Sequence, residues 1–389
     1  MPMTFFDEPP ALRDEPRERR RPPSERSRLR GCLLGGAVGD ALGAPVECLR
    51  RTQILDRFGP QGITRHAPAY GGLGRITDDT QMTLFTAEGL LRAWVRGHLE
   101  GLSCHEALTA HAYLRWLATQ GVRPAEPGLL NLGVHHAGWL YRQRELHQRR
   151  APGSTCLRAL QATDWLGEPA RNDSKGCGGV TRMAPVGLFL WRQGEGSYPD
   201  DAFQLGARLA ALTHGHPTGS LAAGALAVLM LQLADGASLP QAIAAAKTCL
   251  RTRPAHEETL QAIVQAQALA ASGLPHEQAI ARLGEGWVAE EALAISIYCA
   301  LVARDFRHRV VLAVNHDGNS SSTGSITGNL LGTRRGAEAI PPGWLEPLEL
   351  REVIAELAED LYAFADWDLG ERPADPSAAE RIWRKYPGL

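Results

Sequence analysis

Thr77, Asp78, Asp79 and Thr80 place two carboxylates and two hydroxyls in consecutive positions, inside the stretch RITDDTQM from Arg75 to Met82. A helix start needs one such residue as a cap, and Thr and Asp are favoured there. Four in a row exceed that need. Adjacent carboxylates repel each other unless a cation sits between them. Carboxylate and hydroxyl oxygens are the hard donors that Mg²⁺, Mn²⁺ or Ca²⁺ prefers, so the chemistry such a stretch could do is metal binding, although plain helix capping is the commoner meaning of these residues. A second oxygen-rich stretch, HDGNSSSTGSITGN from His316 to Asn329, is framed by glycines, yet Asp317 is its only acid.

Three further stretches carry polar groups in unusual settings. GDALGAPVE ends a glycine-rich segment at Ala44-Pro45 and presents Glu47 on a turn, although a surface glutamate is the commoner meaning of such a residue. In NDSKGCGGVTRMAPVGL, Gly176, Gly178 and Gly179 let the backbone approach a ligand and offer N–H groups to phosphate oxygens. It is not a Walker loop, because Lys175 precedes the glycines and no GK[ST] follows. LTHGHP holds His214 and His216; at i, i+2 they share no helix face, so capping or hydrogen bonding is the default.

The elements that must position these groups read as helices. RLRGCLLGGAVGDALG carries apolar residues at Leu29, Leu33, Val38 and Leu42, with glycines suited to close packing. TDDTQMTLFTAEGLLRAW sets Leu84, Ala87, Leu91 and Trp94 on one face. Further helices are expected near 104–119, 204–214, 218–234, 239–251, 256–272, 288–304, 323–333 and 348–365, punctuated by Pro217, Pro254, Gly236 and Gly273. No convincing strand alternation and no fixed-period repeat appears, which predicts one all-α domain. Residues 1–27, dense in proline and in charges of both signs, cannot offset their ordering entropy and are expected to be a disordered arm. Phe5, Phe6 and Leu12 are anchors by which that arm could dock on a partner.

Bulk properties narrow the classes. A chain of 389 residues with 44% apolar and 22% charged content is an ordinary globular composition. A net charge of -2 gives no case for nucleic acid or an anionic membrane surface. Seven scattered cysteines without CxxC spacing fit reduced thiols in a cytoplasmic protein. The N-terminus lacks the basic and apolar regions of a signal peptide. The uncharged window Thr218 to Ala234 is short for a bilayer span and reads as a core helix.

Taken in order, GCLLGGAVGDALGAPVE, TDDTQM, GCGGVTRMAPVGL, LTHGHP and NHDGNSSSTGSITGNLLG resemble the ADP-ribosylglycohydrolase family, over about residues 28 to 370. The resemblance implies a compact, orthogonal all-α domain whose central cleft holds two divalent cations, Mg²⁺ or Mn²⁺. It implies removal of ADP-ribose from modified protein side chains, most of all ADP-ribosyl-arginine. By motif position, Thr77, Asp78 and Asp79 match the first group of metal ligands. The family's last loop usually reads GDSDSTG; its ligands fall here on Asn319, Ser321 and Ser322. Gly178 and Gly179 match the lining of the ADP-ribose site, His214 a histidine beside the substrate, and Glu47 a glutamate near the reacting ribose. Asp78 or Asp79 is then the expected proton acceptor, with Glu47 assisting. Neutral Asn319 and Ser321 in place of aspartates imply a weak or absent second ion and reduced activity. The other reading is an impaired, binding protein, such as an immunity protein that neutralises an ADP-ribosyltransferase toxin through residues 1–27.

Overall fold

The computed structural model describes residues 22–101, 104–133, 137–194, 198–302 and 305–387. Phe5, Phe6, Leu12 and the rest of segment 1–21 lie outside them, and so does any docking by that segment. The end of the expected arm is helical instead. The Ser24 side chain accepts the Ser27 N–H at 3.2 Å, and this cap starts a helix at Glu25, ahead of the expected boundary.

Helices follow one another throughout. α1 (Glu25–Gly43), α2 (Arg51–Phe58), α3 (Asp78–Glu100) and α4 (His105–Thr119) come first. Next are α5 (Ser154–Gln161), the one-turn α6 (Gly178–Thr181), α7 (Ala184–Gln193), α8 (Pro199–Ala211) and α9 (Pro217–Ala234). α10 (Leu239–Arg251), α11 (Glu257–Ala271), α12 (His276–Leu283), α13 (Ala289–Val302) and α14 (Phe306–Val314) lead to α15 (Ser320–Arg335). α16 (Pro342–Leu345), α17 (Arg351–Ala363) and α18 (Pro376–Lys385) are last. Among the described residues no strand forms beyond isolated bridges at Ala69–Gly72 and Gly176–Val288, so the fold is all-α as expected.

The apolar helix α9 is the centre of the core. It packs on α7, α8, α10 and α13, and 83% of its 18-residue apolar window is buried inside the protein. Leu226, Leu229 and Leu233 are wholly enclosed, each contributing about 2 kcal/mol of apolar burial. This is the expected core helix. All seven cysteines are unpaired, also as expected.

Two helices meet without side chains between them, and that contact builds the floor of the site. α1 and α15 run antiparallel, with Gly31, Gly35, Gly39 and Gly43 facing Gly332, Gly328, Gly324 and Ser320. A Cβ on Gly39 would lie 2.0 Å from the Gly324 carbonyl oxygen, so only glycine permits the approach. Helical spacing of four residues repeats the contact at every turn. The result places the C-terminal end of α1, with Asp40 and Glu47, against the N-terminal end of α15.

A cluster of carboxylates between three helix ends

Asp40 organises the TDDT stretch. From its buried place on α1, Oδ2 accepts the Thr77 backbone N–H at 2.9 Å and the Thr80 N–H at 3.2 Å. The Thr77 hydroxyl donates to Oδ1 at 2.7 Å, and the Thr80 hydroxyl donates to Oδ2. Thr77 caps α3, its hydroxyl oxygen accepting the Asp79 N–H at 3.2 Å. Thr77 is thus the cap that the capping reading expected, while Thr80 turns to Asp40 and the two aspartates point elsewhere. From the other side, buried Glu349 accepts Arg75 Nη1 at 2.6 Å, Arg150 Nη2 at 2.9 Å and Ile76 N–H at 3.2 Å. Arg150 in turn accepts the Asp78 N–H on its carbonyl at 2.9 Å.

Asp78 and Asp79 point differently. Asp78 is half-buried and accepts the Gly153 N–H on Oδ2 at 2.9 Å. Asp79 is buried and accepts the Ser322 hydroxyl on Oδ2 at 2.8 Å. Half-buried Glu47 reaches the same region from the turn after α1, where the Cys48 N–H donates to the Gly318 carbonyl at 3.3 Å. Gly318 can sit there because it has φ 107° and because a Cβ would meet the Glu285 carbonyl oxygen at 2.1 Å.

The electrostatics of the cluster are those of an unneutralised negative site. Burial and then Asp79 push Asp40 up to about 7. Burial and then Asp40 push Glu47 up to about 7. Burial and then Glu47 do the same to Asp79. Asp78 is raised well above the usual carboxylate range by burial and by Asp79. No Lys, Arg or His forms an ion pair with any of the four among the described residues. Buried like charges of this kind fit a hard cation. No three described His, Cys, Asp or Glu side chains converge on one point, however, so an ion would complete its shell with hydroxyl, water or substrate oxygens.

The α15 loop is arranged otherwise. The Asn319 Oδ1 accepts the Ser322 N–H and the Ser321 hydroxyl, both at 3.1 Å, so both lone pairs are occupied. Its Nδ2 donates to Cys177 Sγ at 3.1 Å. The amide cannot be turned over, because Nδ2 would then face the Ser322 N–H. Asn319 is the N-cap of α15 and offers no free oxygen to an ion. Ser322 faces the carboxylates as a donor and helps to hold Asp79 down, while the one hydroxyl proton of Ser321 is directed to Asn319 Oδ1.

The glycine turn meets the site beside His214. This buried ring lies beneath Gly176, Gly178 and Gly179, where a Cβ on Gly179 would come within 3.2 Å of Nδ1. His216 takes the capping role, its Nδ1 accepting the Thr218 N–H at the start of α9 at 3.2 Å. The structure thus brings together Glu47, Asp78, Asp79, Ser321 and Ser322, with Gly178, Gly179 and His214 on the adjoining wall. Sequence reasoning passed over Asp40, Arg150, Glu349 and Arg182. Asp40 alone carried a signal, as the one acid among the apolar and glycine positions of GCLLGGAVGDALG.

Residues 21–369 match the ADP-ribosylglycohydrolase family. The ADP-ribosyl-[dinitrogen reductase] glycohydrolase of Rhodospirillum rubrum is 25% identical, over 89% of this chain and 99% of that protein. The ADP-ribosylarginine hydrolase Tri1 of Pseudomonas putida is 24% identical, over 86% of this chain and 78% of that protein. A solved ADP-ribosylglycohydrolase-related protein complex superposes with TM-score 0.61 at 28% identity, covering 88% of this chain and 99% of the other. The chain belongs to the ADP-ribosylglycohydrolase family, whose members are hydrolases that remove ADP-ribose from proteins.

Proposed function

We propose that this chain releases ADP-ribose from arginine side chains of modified proteins, in the cytoplasm, with one Mg²⁺ or Mn²⁺ on the Asp78–Asp79 side of the cleft. The observation that carries this is the cluster of Asp40, Glu47, Asp78 and Asp79, none of which forms an ion pair with a cationic side chain among the described residues, while burial and mutual repulsion oppose their ionisation. The names of the Rhodospirillum and Pseudomonas relatives support hydrolysis at a modified protein and, for the second, at arginine. Seven unpaired thiols support a reducing compartment.

Cleavage at the anomeric carbon develops oxocarbenium character and needs a water at that carbon. A bound divalent ion would supply polarisation of the ribose hydroxyls and a more acidic water. Thr77, Asp78 and Asp79 would hold it, since the Thr77 oxygen keeps one lone pair after accepting the Asp79 N–H. Asp78 is the proton acceptor: the Gly153 N–H fixes Oδ2, which leaves Oδ1 for the water. Glu47 assists from the facing turn. Gly178, Gly179 and His214 hold the pyrophosphate side of the substrate. Asn319, Ser321 and Ser322 keep the loop's shape by hydrogen bonds where a second ion would need carboxylates.

The test is release of ADP-ribose from an arginine-modified protein in Mg²⁺, set beside a serine-modified one. Faster release from arginine is expected. No release by the natural chain, and none after Asn319→Asp with Ser321→Asp, would end this reading.

A further inference from the structure

Arg182 is wholly buried at the end of α6 and makes no ion pair with a carboxylate among the described residues. Its guanidinium is instead distributed over neutral acceptors. Nε donates to the Tyr113 hydroxyl at 2.9 Å, and the charge lies 4.5 Å from the centre of that ring. Nη1 donates to the Gly178 carbonyl at 3.1 Å, within the glycine turn. Nη2 donates to the Thr213 hydroxyl oxygen at 2.6 Å. A fully buried cation with this many aimed donors is an expensive feature unless it orders something.

What it orders follows from counting protons. A threonine hydroxyl has one proton to give. With its oxygen already accepting from Arg182, Thr213 has one proton and one lone pair left, facing His214 Nδ1 at 2.8 Å and the Ala210 carbonyl at 3.4 Å, with Cys156 Sγ also in reach. The shorter contact lies within normal O–H···N reach, while the longer is at the edge of hydrogen bonding. The Ala210 carbonyl is too distant and a thiol sulfur too weak an acceptor to hold the proton well, so it is assigned to His214 Nδ1, which then accepts. In a neutral ring the proton must then sit on Nε2. Nε2 has no partner among the described residues, and it faces the glycine turn, 3.3 Å from where a Gly176 Cβ would be. The neutral form is favoured because burial and then Arg182 lower the ring to about 3.

We infer that Arg182 and Thr213 fix the tautomer of His214, so that its Nε2–H stands as a neutral donor for an anionic oxygen of bound ADP-ribose. Arg182 and Thr213 are positioning residues. The same guanidinium holds the Gly178 carbonyl, so the glycine turn and the imidazole are set by one group. The ligand half of the inference rests on the substrate-site reading given above; the tautomer half does not.

Two-bond ¹H–¹⁵N correlation spectra of the full-length ¹⁵N-labelled protein read the tautomer directly. The wild type is expected to show His214 protonated at Nε2 and not at Nδ1. Thr213→Val removes the donor to Nδ1 and is expected to release the ring to the Nδ1–H form or a mixture. It should raise KM for arginine-ADP-ribosylated protein by about tenfold, the worth of one hydrogen bond to a charged oxygen, with kcat little changed. Thr213→Ser should restore both tautomer and KM. A wild-type ring protonated at Nδ1, or an unchanged tautomer in folded Thr213→Val, overturns the relay. A shifted tautomer with unchanged KM overturns the ligand half. Absence of any turnover in wild type alongside the expected tautomer would fault the proposed reaction and not the relay.

Discussion

Ser322 donates its hydroxyl to Asp79 across 2.8 Å, tying the first turn of α15 to the first turn of α3. That contact occupies a carboxylate oxygen that a cation would otherwise share. It shows how the cleft keeps its shape with neutral side chains on one wall and acids on the other.

Adding acids to the neutral wall should exchange hydrogen-bond stability for ion-dependent stability. Asn319→Asp with Ser321→Asp places two more carboxylates beside Asp79 and Glu47, whose own ionisation is already opposed by burial. In EDTA the double variant should melt below wild type. Millimolar Mg²⁺ should then raise its melting temperature more than that of wild type, because ligand at 100 times Kd stabilises by about 2.7 kcal/mol. Calorimetric scans with and without Mg²⁺ measure both shifts, and an equal Mg²⁺ response in the two proteins would contradict the account.

Asp40 accepts four donors from Thr77 and Thr80 in a fully buried place. Asp40→Ala leaves all four unanswered and should cost about 3 kcal/mol or more, read from urea unfolding. Asp40→Asn keeps one oxygen and turns an amide toward donors, so it should fall between alanine and wild type. Activity should drop in both, since the TDDT turn loses its anchor on α1.

The α1–α15 contact should be equally unforgiving. A methyl group at Gly39 or Gly324 meets the opposing backbone at 2.0 Å or 2.4 Å, and neither carbonyl can move without its helix. Gly39→Ala or Gly324→Ala should cost about 2 kcal/mol from overpacking and should weaken activity beyond that loss. Gly343→Ala is a control, because nothing lies within 4 Å of its would-be Cβ.

Much of this arrangement was legible in sequence, for identifiable reasons. Long periodic helices such as α3, α9 and α10 announce themselves by their apolar spacing. α8 begins earlier than its apolar face suggested because Pro199 fits the first helical position and Asp201 accepts the Tyr198 N–H at 3.0 Å. α15 likewise starts at Ser320, since Asn319 is its cap. Short helices such as α12 and α14 were missed because eight or nine residues carry too little periodic signal. In the site, the TDDT and glycine motifs were visible as local anomalies. Arg182 and Glu349 were not, because their roles depend on partners far away in sequence, such as Tyr113 and Arg75. Asn319, expected as a ligand, is engaged otherwise: its amide oxygen is held within its own loop and its nitrogen donates to Cys177 in the glycine turn.

His214 should leave a signature in acid. Its folded value of about 3 lies below the unfolded value near 6.5, so the unfolded chain binds the extra proton between the two. Its contribution to stability is therefore complete above pH 6.5 and declines as pH falls toward 3, by at most about 1.4 kcal/mol per unit. Urea unfolding of wild type and His214→Gln across that window gives the difference. A wild-type loss no steeper than the variant's would show that the ring is free to protonate in the folded protein.

The most direct test of the central claim is the rate of ADP-ribose release from an arginine-modified protein, compared in Mg²⁺, in EDTA and after Asp79→Asn. The account predicts release in Mg²⁺ that EDTA abolishes, and a fall of at least about a hundredfold in Asp79→Asn despite retained fold. Release that persists in EDTA, or that survives Asp79→Asn undiminished, would contradict a cation held on the Asp78–Asp79 wall.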